Sequence, residues 1–255
     1  MRNKTAVFVI LFLLCYGLAN PVLCQMRFKI IENASDSIYT SRPHQFKFNE
    51  LIIPTAIIFT GVLMTFDNDV IDRYEVMEER NENYGAFHYT IDDFLQVSPL
   101  VIAGMMELAV KNSKSVRKKR VVNLIKTELI VNTLTVSMKS LTRVKRPDSE
   151  SLNSFPSGHT SQAFALATFL YNEYGNNHSP WVTAGGYALA LSTGVMRILN
   201  GRHWISDVVA GAGVGMLSAN LGCMDWKINR NKKTALMIVP SFSNEFAGGT
   251  LIVGF

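Results

Sequence analysis

Residues 197–215 read RILNGRHWISDVVAGAGVG, and their reading decides the fold. Arg197 stands at the end of one apolar run, Trp181 to Met196, and His203 and Asp207 stand at the start of the next, Ile205 to Leu221. Both runs read as helices, so the stretch is a helix end, a connection and a helix start. His203 and Asp207 are four positions apart, which lets their side chains meet on one helical face. A carboxylate so placed holds one imidazole nitrogen protonated and leaves the other as a free lone pair, as a nucleophilic histidine requires. Taken alone, the spacing also fits a surface pair worth about 0.3 to 0.5 kcal/mol. Gly211, Gly213 and Gly215 continue the helix with small residues, a pattern that calls for a tight helix contact.

Two upstream clusters carry related chemistry. Lys139 and Arg146 lie at the end of an apolar run and in the loop that follows, with Pro147 stiffening the exit. Arginine offers a planar fork of donors that matches phosphate oxygens and lysine a point charge, so the two can neutralise a phosphate. They fit an ordinary basic helix end as well. Residues 154–159, SFPSGH, come just before another apolar helical run. Ser157 and the Gly158 amide therefore sit near a helix N-terminus, where unpaired N–H groups and the dipole favour an anion. Gly158 allows close approach of a ligand, Ser157 adds a hydroxyl donor, and His159 is placed to reach a leaving-group oxygen. The alternative is a plain helix cap with a solvated histidine. Arg197, from the end of its helix, can return to the same anion.

The remainder supplies the frame. Of 255 residues 48% are apolar and 18% charged, with mean hydropathy +0.15, greasier than a typical soluble domain and drier than most multi-span transporters. Nothing in that length requires more than one domain. Apolar stretches at Leu51 to Phe66, Ser98 to Val110, Val121 to Met138, Thr160 to Tyr171, Trp181 to Met196 and Ile205 to Leu221 all read as helices. Their 12 to 18 residues reach only about 18 to 27 Å against a hydrocarbon core of about 30 Å, short for full spans. Lys126, Glu128 and Asn132 in the third stretch are costly facing lipid and ordinary facing other helices. Residues 67–93 are polar and read as a surface loop or amphipathic helix with no assigned chemistry. Near the end, Ala235 to Pro240 and Thr250 to Phe255 flank a polar, glycine-containing segment and read as a small C-terminal β-hairpin.

At the other end, Met1 to Cys24 places Arg2 and Lys4 before an apolar run and reads as a signal peptide or signal anchor. The three cysteines form no disulfide framework or CxxC metal site. The net charge of +5 is concentrated in 111–120 and 227–233, which suits a membrane surface. Neither run interleaves aromatics, so no nucleic-acid partner is read.

Together the three clusters resemble the signature of the phosphatidic acid phosphatase type 2 (PAP2) and vanadium haloperoxidase superfamily. The matching pieces are Lys-x6-Arg-Pro at 139–147, Pro-Ser-Gly-His at 156–159 and Arg-x5-His-x3-Asp at 197–207. The likeness extends over roughly 98–221, with Met196 standing where the family often has serine. More narrowly, IDDFLQVSP (91–99), NSFPSGHTSQAFA (153–165) and NGRHWISDVVAGAG (200–213) look like envelope phosphatases of Bacteroidetes-type bacteria, which include lipid A phosphatases.

The resemblance implies an all-α fold, a compact six-helix bundle of the PAP2 type with the hairpin appended, forming one domain over 25–255. It implies a phosphatase that needs no metal or cofactor and acts on phosphorylated lipids of the lipid A, undecaprenyl pyrophosphate or phosphatidylglycerol phosphate type. His203 would be the nucleophile, through a phosphohistidine. Asp207 would orient it, and His159 would be general acid and base. Lys139, Arg146, Ser157, Gly158 and Arg197 would bind phosphate, the three cations supplying the charge that Mg2+ supplies elsewhere. His44, His88 and His178 match no motif position and read as surface or packing residues.

The other readings are a soluble periplasmic non-specific acid phosphatase, a vanadate-dependent haloperoxidase sharing the anion pocket, and a non-catalytic phosphate-binding membrane protein. With both basic runs in the cytoplasm, the catalytic loops face the periplasm from a bacterial inner membrane. A soluble or peripheral periplasmic protein is the alternative.

Overall fold

In the computed structural model, residues 48–66, 72–109, 113–175 and 180–224 are described in full, and 235–242 and 247–254 as backbone. The chain divides into two compact units, Met1–Met224 and Asp225–Phe255. Among the described residues of the first unit all regular structure is helical. A 3-10 turn leads into α1 (Ile52–Leu63), followed by α2 (Arg73–Tyr84), the short α3 (Ile91–Leu95), α4 (Ser98–Ala109), α5 (Lys114–Thr142), α6 (Gly158–Leu170), α7 (Pro180–Leu199) and α8 (Ile205–Cys223).

Each of the six apolar stretches forms a helix, and α2 and α3 arise from the polar segment between the first two. The expected boundaries were too tight for α5, α7 and α8, and too wide for α1. α5 has 29 residues, because much of the charged run before Val121 belongs to its first turns. Lysine and arginine are good helix formers, and the Ser113 hydroxyl accepts from the Val116 amide at the start. At 1.5 Å per residue α5 reaches about 43 Å. It, α7 and α8 are each long and apolar enough to cross a membrane, which corrects the expectation of short helices for those three.

α8 lies at the centre, packed against α6, α1 and α5. A Cβ on Gly211 would come within 2.8 Å of the Ser157 carbonyl, and one on Gly213 within 2.7 Å of the Pro54 carbonyl. At Gly215 it would collide with the Ser161 carbonyl. Small residues thus let two neighbouring backbones approach α8 directly. Ala163, Phe164 and Ala167 of α6 close the gap with Ala190 of α7 and Ala212 and Met216 of α8. The result fixes the start of α8 beside the start of α6, and the Ser157 amide donates to the Asp207 carbonyl across that junction at 2.9 Å.

The outward faces are apolar. α5 exposes Val121, Ile125, Leu129 and Val136, and α1 exposes Ile52 and Phe59. Helices facing water put polar residues there, so these faces match hydrocarbon. Lys126 and Glu128 of α5 find partners: Lys126 donates to the Met224 carbonyl at 3.1 Å, and Gln162 of α6 donates to both Glu128 oxygens at 2.7 and 2.8 Å. Asn132 returns to the Glu128 carbonyl within its own helix.

In the second unit β1 (Ala235–Phe242) and β2 (Ala247–Gly254) pair antiparallel, with Ala235 opposite Gly254. The residues joining them, the basic run 227–233, Met1 to Cys24 with its expected signal peptide or anchor, His44 and His178 lie outside the described residues. His88 is exposed.

Candidate active site

The connection between α7 and α8 carries His203, and the first turn of α8 carries Asp207. Both are buried, at 1% and 0% exposure. His203 Nδ1 is 3.2 Å from Asp207 Oδ2. The same oxygen accepts from the Trp204 amide at 3.0 Å, so Asp207 also caps its own helix. A third donor is the Ser154 hydroxyl, 2.5 Å from Asp207 Oδ2 and 3.5 Å from His203 Nδ1. With Nδ1 occupied, Nε2 is the nitrogen left for chemistry. Burial holds His203 down to about 4, against the pull of Asp207 and helped by Lys139 and Arg146. The ring is therefore neutral at pH 7, its lone pair available.

Lys139, in the last turn of α5, donates to the carbonyls of Asn153 at 2.5 Å and Ser154 at 3.3 Å. Arg146, in the following loop, donates from Nε to Asn153 Oδ1 at 2.8 Å. These acceptors are neutral. Lys139 lies within electrostatic reach of Arg146, Arg197 and Asp207. Burial first, then the guanidiniums of Arg197 and Arg202, lower the Arg146 pKa against Asp148. Two cations therefore converge on His203 with hydrogen bonds to uncharged oxygens and, among the described residues, no carboxylate in contact.

Ser157 precedes α6 and is fully buried. Its hydroxyl accepts from Thr160 Oγ1 at 2.9 Å and its amide is committed to Asp207, so its remaining donor is its O–H. A Cβ on Gly158 would meet Thr135 Cγ2 at 3.8 Å and Lys139 Cε at 4.0 Å, ordinary contacts. The surrounding protein therefore does not demand glycine there. The Gly158 amide, at the first helical position, has no partner within the helix. His159 follows, half-buried, with Nε2 2.7 Å from Asp93 Oδ1. Arg197, at the end of α7, donates from Nη1 to Asp92 Oδ2 at 2.7 Å and lies 4.0 Å from Asp93 Oδ1.

The candidate residues named from sequence are thus linked around one junction of α5, α6, α7 and α8. Sequence reasoning missed four of their supports: Asn153, Ser154, Asp92 and Asp93. Residues 67–93 were assigned no chemistry, yet α3, which straddles their end, sends Asp92 to Arg197 and Asp93 to His159. The stretch leading into α3 is pinned by Asn200, just past the end of α7, and by Arg80 of α2. The Asn200 side chain makes two bonds to the Tyr89 backbone, at 2.9 and 2.7 Å, and Arg80 of α2 donates to the carbonyls of Leu199 at 2.8 Å and Phe87 at 3.2 Å. The acidic doublet inside IDDFL was the available signal. Its partners, 105 and 66 residues away, were not readable.

A buried histidine–carboxylate pair, a helix N-terminus and converging cations are the parts that phosphoryl chemistry requires. The family model described as PAP2 superfamily matches residues 121–231. The chain belongs to the PAP2 superfamily. Among curated relatives, a lipid A 1-phosphatase of Porphyromonas gingivalis is 40% identical over 166 residues, 63% of this chain and 35% of that protein. A lipid A 4'-phosphatase of Helicobacter pylori is 30% identical over 182 residues, 68% of this chain and 86% of that protein. The chain thus spans about a third of the first relative and most of the second. Among solved structures, Aquifex aeolicus LpxE is similar at 24% identity and TM-score 0.42, covering 57% of this chain and 92% of that one. A transmembrane PAP2-type phosphatidylglycerolphosphate phosphatase from Bacillus subtilis is similar at 19% identity and TM-score 0.45, covering 70% and 98%.

Proposed function

We propose that this chain is a metal-independent phosphatase that removes phosphate from envelope lipids of the lipid A type, with residues 98–221 as its catalytic core. The observation that carries the reading is the buried His203–Asp207 pair faced by Lys139 and Arg146, whose own partners are neutral oxygens. Positive charge in a desolvated site without a carboxylate in contact is positive charge kept for a substrate anion. The names of the two curated relatives support lipid A as the substrate class, with undecaprenyl pyrophosphate and phosphatidylglycerol phosphate as the neighbouring candidates.

In this reading His203 Nε2 attacks phosphorus, the P–N bond forms, and the P–O bond to the leaving group breaks with its electrons on that oxygen. His159 gives that oxygen a proton. Water then attacks the phosphohistidine, giving its proton to His159, and the P–N bond breaks to release inorganic phosphate. Lys139, Arg146 and Arg197, with the Ser157 hydroxyl and Gly158 amide, hold the equatorial oxygens. Three cations provide the charge that a divalent metal provides in other phosphoryl-transfer sites.

α5 supports a membrane setting. Its N-terminal turns carry Lys114, Arg117, Lys118 and Lys119, and its last turn carries Lys139 beside the site. With the basic end in the cytoplasm, the site faces the periplasm from the inner membrane. The apolar outer faces of α5 and α1 favour this over a soluble acid phosphatase. A small C-terminal β-hairpin completes the same reading.

The test is phosphate release by the purified chain in detergent with EDTA, on lipid A-type, phosphatidylglycerol phosphate and soluble ester substrates, with His203→Ala in parallel. Release selective for lipid and abolished by the substitution is expected. Equal release from the soluble ester points to an acid phosphatase, and phosphate binding without turnover points to a binding protein.

A further inference from the structure

In the mechanism above one carboxylate beside the reacting groups has no task. α3 presents two adjacent acids in different ways: Asp92 is buried at 1% exposure and bound to Arg197, while the Asp93 side chain is 54% exposed and reaches His159. A general acid needs a proton and a fixed ring. Burial first, then the Arg197 guanidinium, push the His159 pKa down, away from the protonated form. Among the described residues, the charged groups facing the ring are Arg197 from α7 and Asp92 and Asp93 from α3. Asp92 is committed to Arg197 at 2.7 Å, which leaves Asp93, 2.7 Å from Nε2, as the anion that can compensate.

We propose that Asp93 is the positioning residue of His159, fixing the ring through Nε2–H and sustaining the imidazolium that donates from Nδ1. The proposal rests on the phosphatase reading and adds to it the group that makes His159 an acid. In the first half-reaction the Nδ1–H bond breaks and its proton goes to the departing oxygen as the P–O bond breaks, leaving a neutral ring still bonded through Nε2–H to ionised Asp93. In the second, Nδ1 takes a proton from the attacking water and the imidazolium is restored. The two histidines of the site are thereby held by opposite edges, His203 by Nδ1 and His159 by Nε2. Asp93 also stands 4.0 Å from Arg197 Nη1, so the carboxylate that charges the acid lies next to a cation assigned to the phosphate.

The experiment uses Asp93→Asn, a near-isosteric change at an exposed position, in the full chain. Two esters are compared: p-nitrophenyl phosphate, whose phenolate leaves with little protonation, and a dialkylglycerol phosphate in detergent, whose alkoxide needs a proton. A loss in kcat/KM of about 10²-fold on the alkyl ester and under about 3-fold on the aryl ester is expected. The basic limb of the pH profile moves to lower pH, because the acid must be protonated and has lost its anion. Asp93→Glu recovers most of the rate, and adding Asp93→Asn to His159→Ala costs nothing more. Equal losses on the two esters with an unmoved pH profile overturn the proposal in favour of a structural role. A gain in activity overturns it in favour of a carboxylate that competes with substrate for His159 and Arg197. If the unaltered chain hydrolyses neither ester, the phosphatase reading itself falls, a result separable from the others because it appears before any substitution.

Discussion

His203 and His159 each face an aspartate, and the two pairs are built in different ways. His203–Asp207 lies inside, at 1% and 0% exposure, with His203 just before α8, Asp207 in its first turn, and Oδ2 of the aspartate further held by Ser154 and the Trp204 amide. His159–Asp93 joins α6 to α3 through one 2.7 Å contact, with the histidine side chain 28% and the aspartate side chain 54% exposed. A dry, many-times-fixed pair keeps a neutral ring ready to attack. A wetter pair with one contact can pick up and give away a proton. In the proposed mechanism the same two residue types serve as nucleophile or acid according to burial and neighbouring charge.

The largest expected break comes from His203→Ala, which should lower phosphate release at least about 10⁴-fold while phosphate still binds, as read by calorimetry. More than a hundredth of the activity remaining would place the nucleophile elsewhere. Asp207→Asn should cost about 10³-fold in kcat, since an amide cannot keep the ring in the working tautomer. It should also lower the melting temperature in detergent, where Asp93→Asn should barely move it. If both lower it equally, the contrast between buried and exposed pairs is wrong.

The pH profile sharpens the comparison. Since burial holds His203 down to about 4, the acid limb of kcat/KM that belongs to it falls near pH 4 rather than at the usual histidine value. The neutral form is the active one, so activity is lost as pH falls. The same depressed pKa contributes stability that is fully present above about pH 6.5 and is lost as pH falls toward 4. An acid limb at 6.5 assigned to His203 would mean that water reaches the ring. The smallest effect belongs to Ser154→Ala, about 10-fold in kcat, because one of the three donors to Asp207 Oδ2 is removed and the others stay. No change would reduce Ser154 to a packing residue.

How much could be read in advance depends on how far apart the partners stand in the chain. His203 and Asp207 were readable as a pair because they stand four positions apart at one helix start, although His203 lies in the bend just before α8 and not within the helix. The glycines of α8 were readable as a contact, since close approach leaves a signature of small residues. The helix ends were misplaced where charged residues continue a helix beyond its apolar part, as at the start of α5. Asn153 and Ser154 were missed because polar loop residues look alike until a fold aims them. Asp92 and Asp93 sat in a segment given no chemistry, since their targets are on other helices.

The amino-acid sequence by itself determined the apolar helices, the local histidine–aspartate pair and the cation and anion-site clusters, all of which depend on spacings within a turn or two of helix. Only the tertiary structure decided which cations bond to neutral groups, which acid serves Arg197 and which serves His159, and that one histidine is dry and the other accessible. Burial and long-range pairing arise when α3, α5, α6, α7 and α8 pack, and no local spacing encodes them.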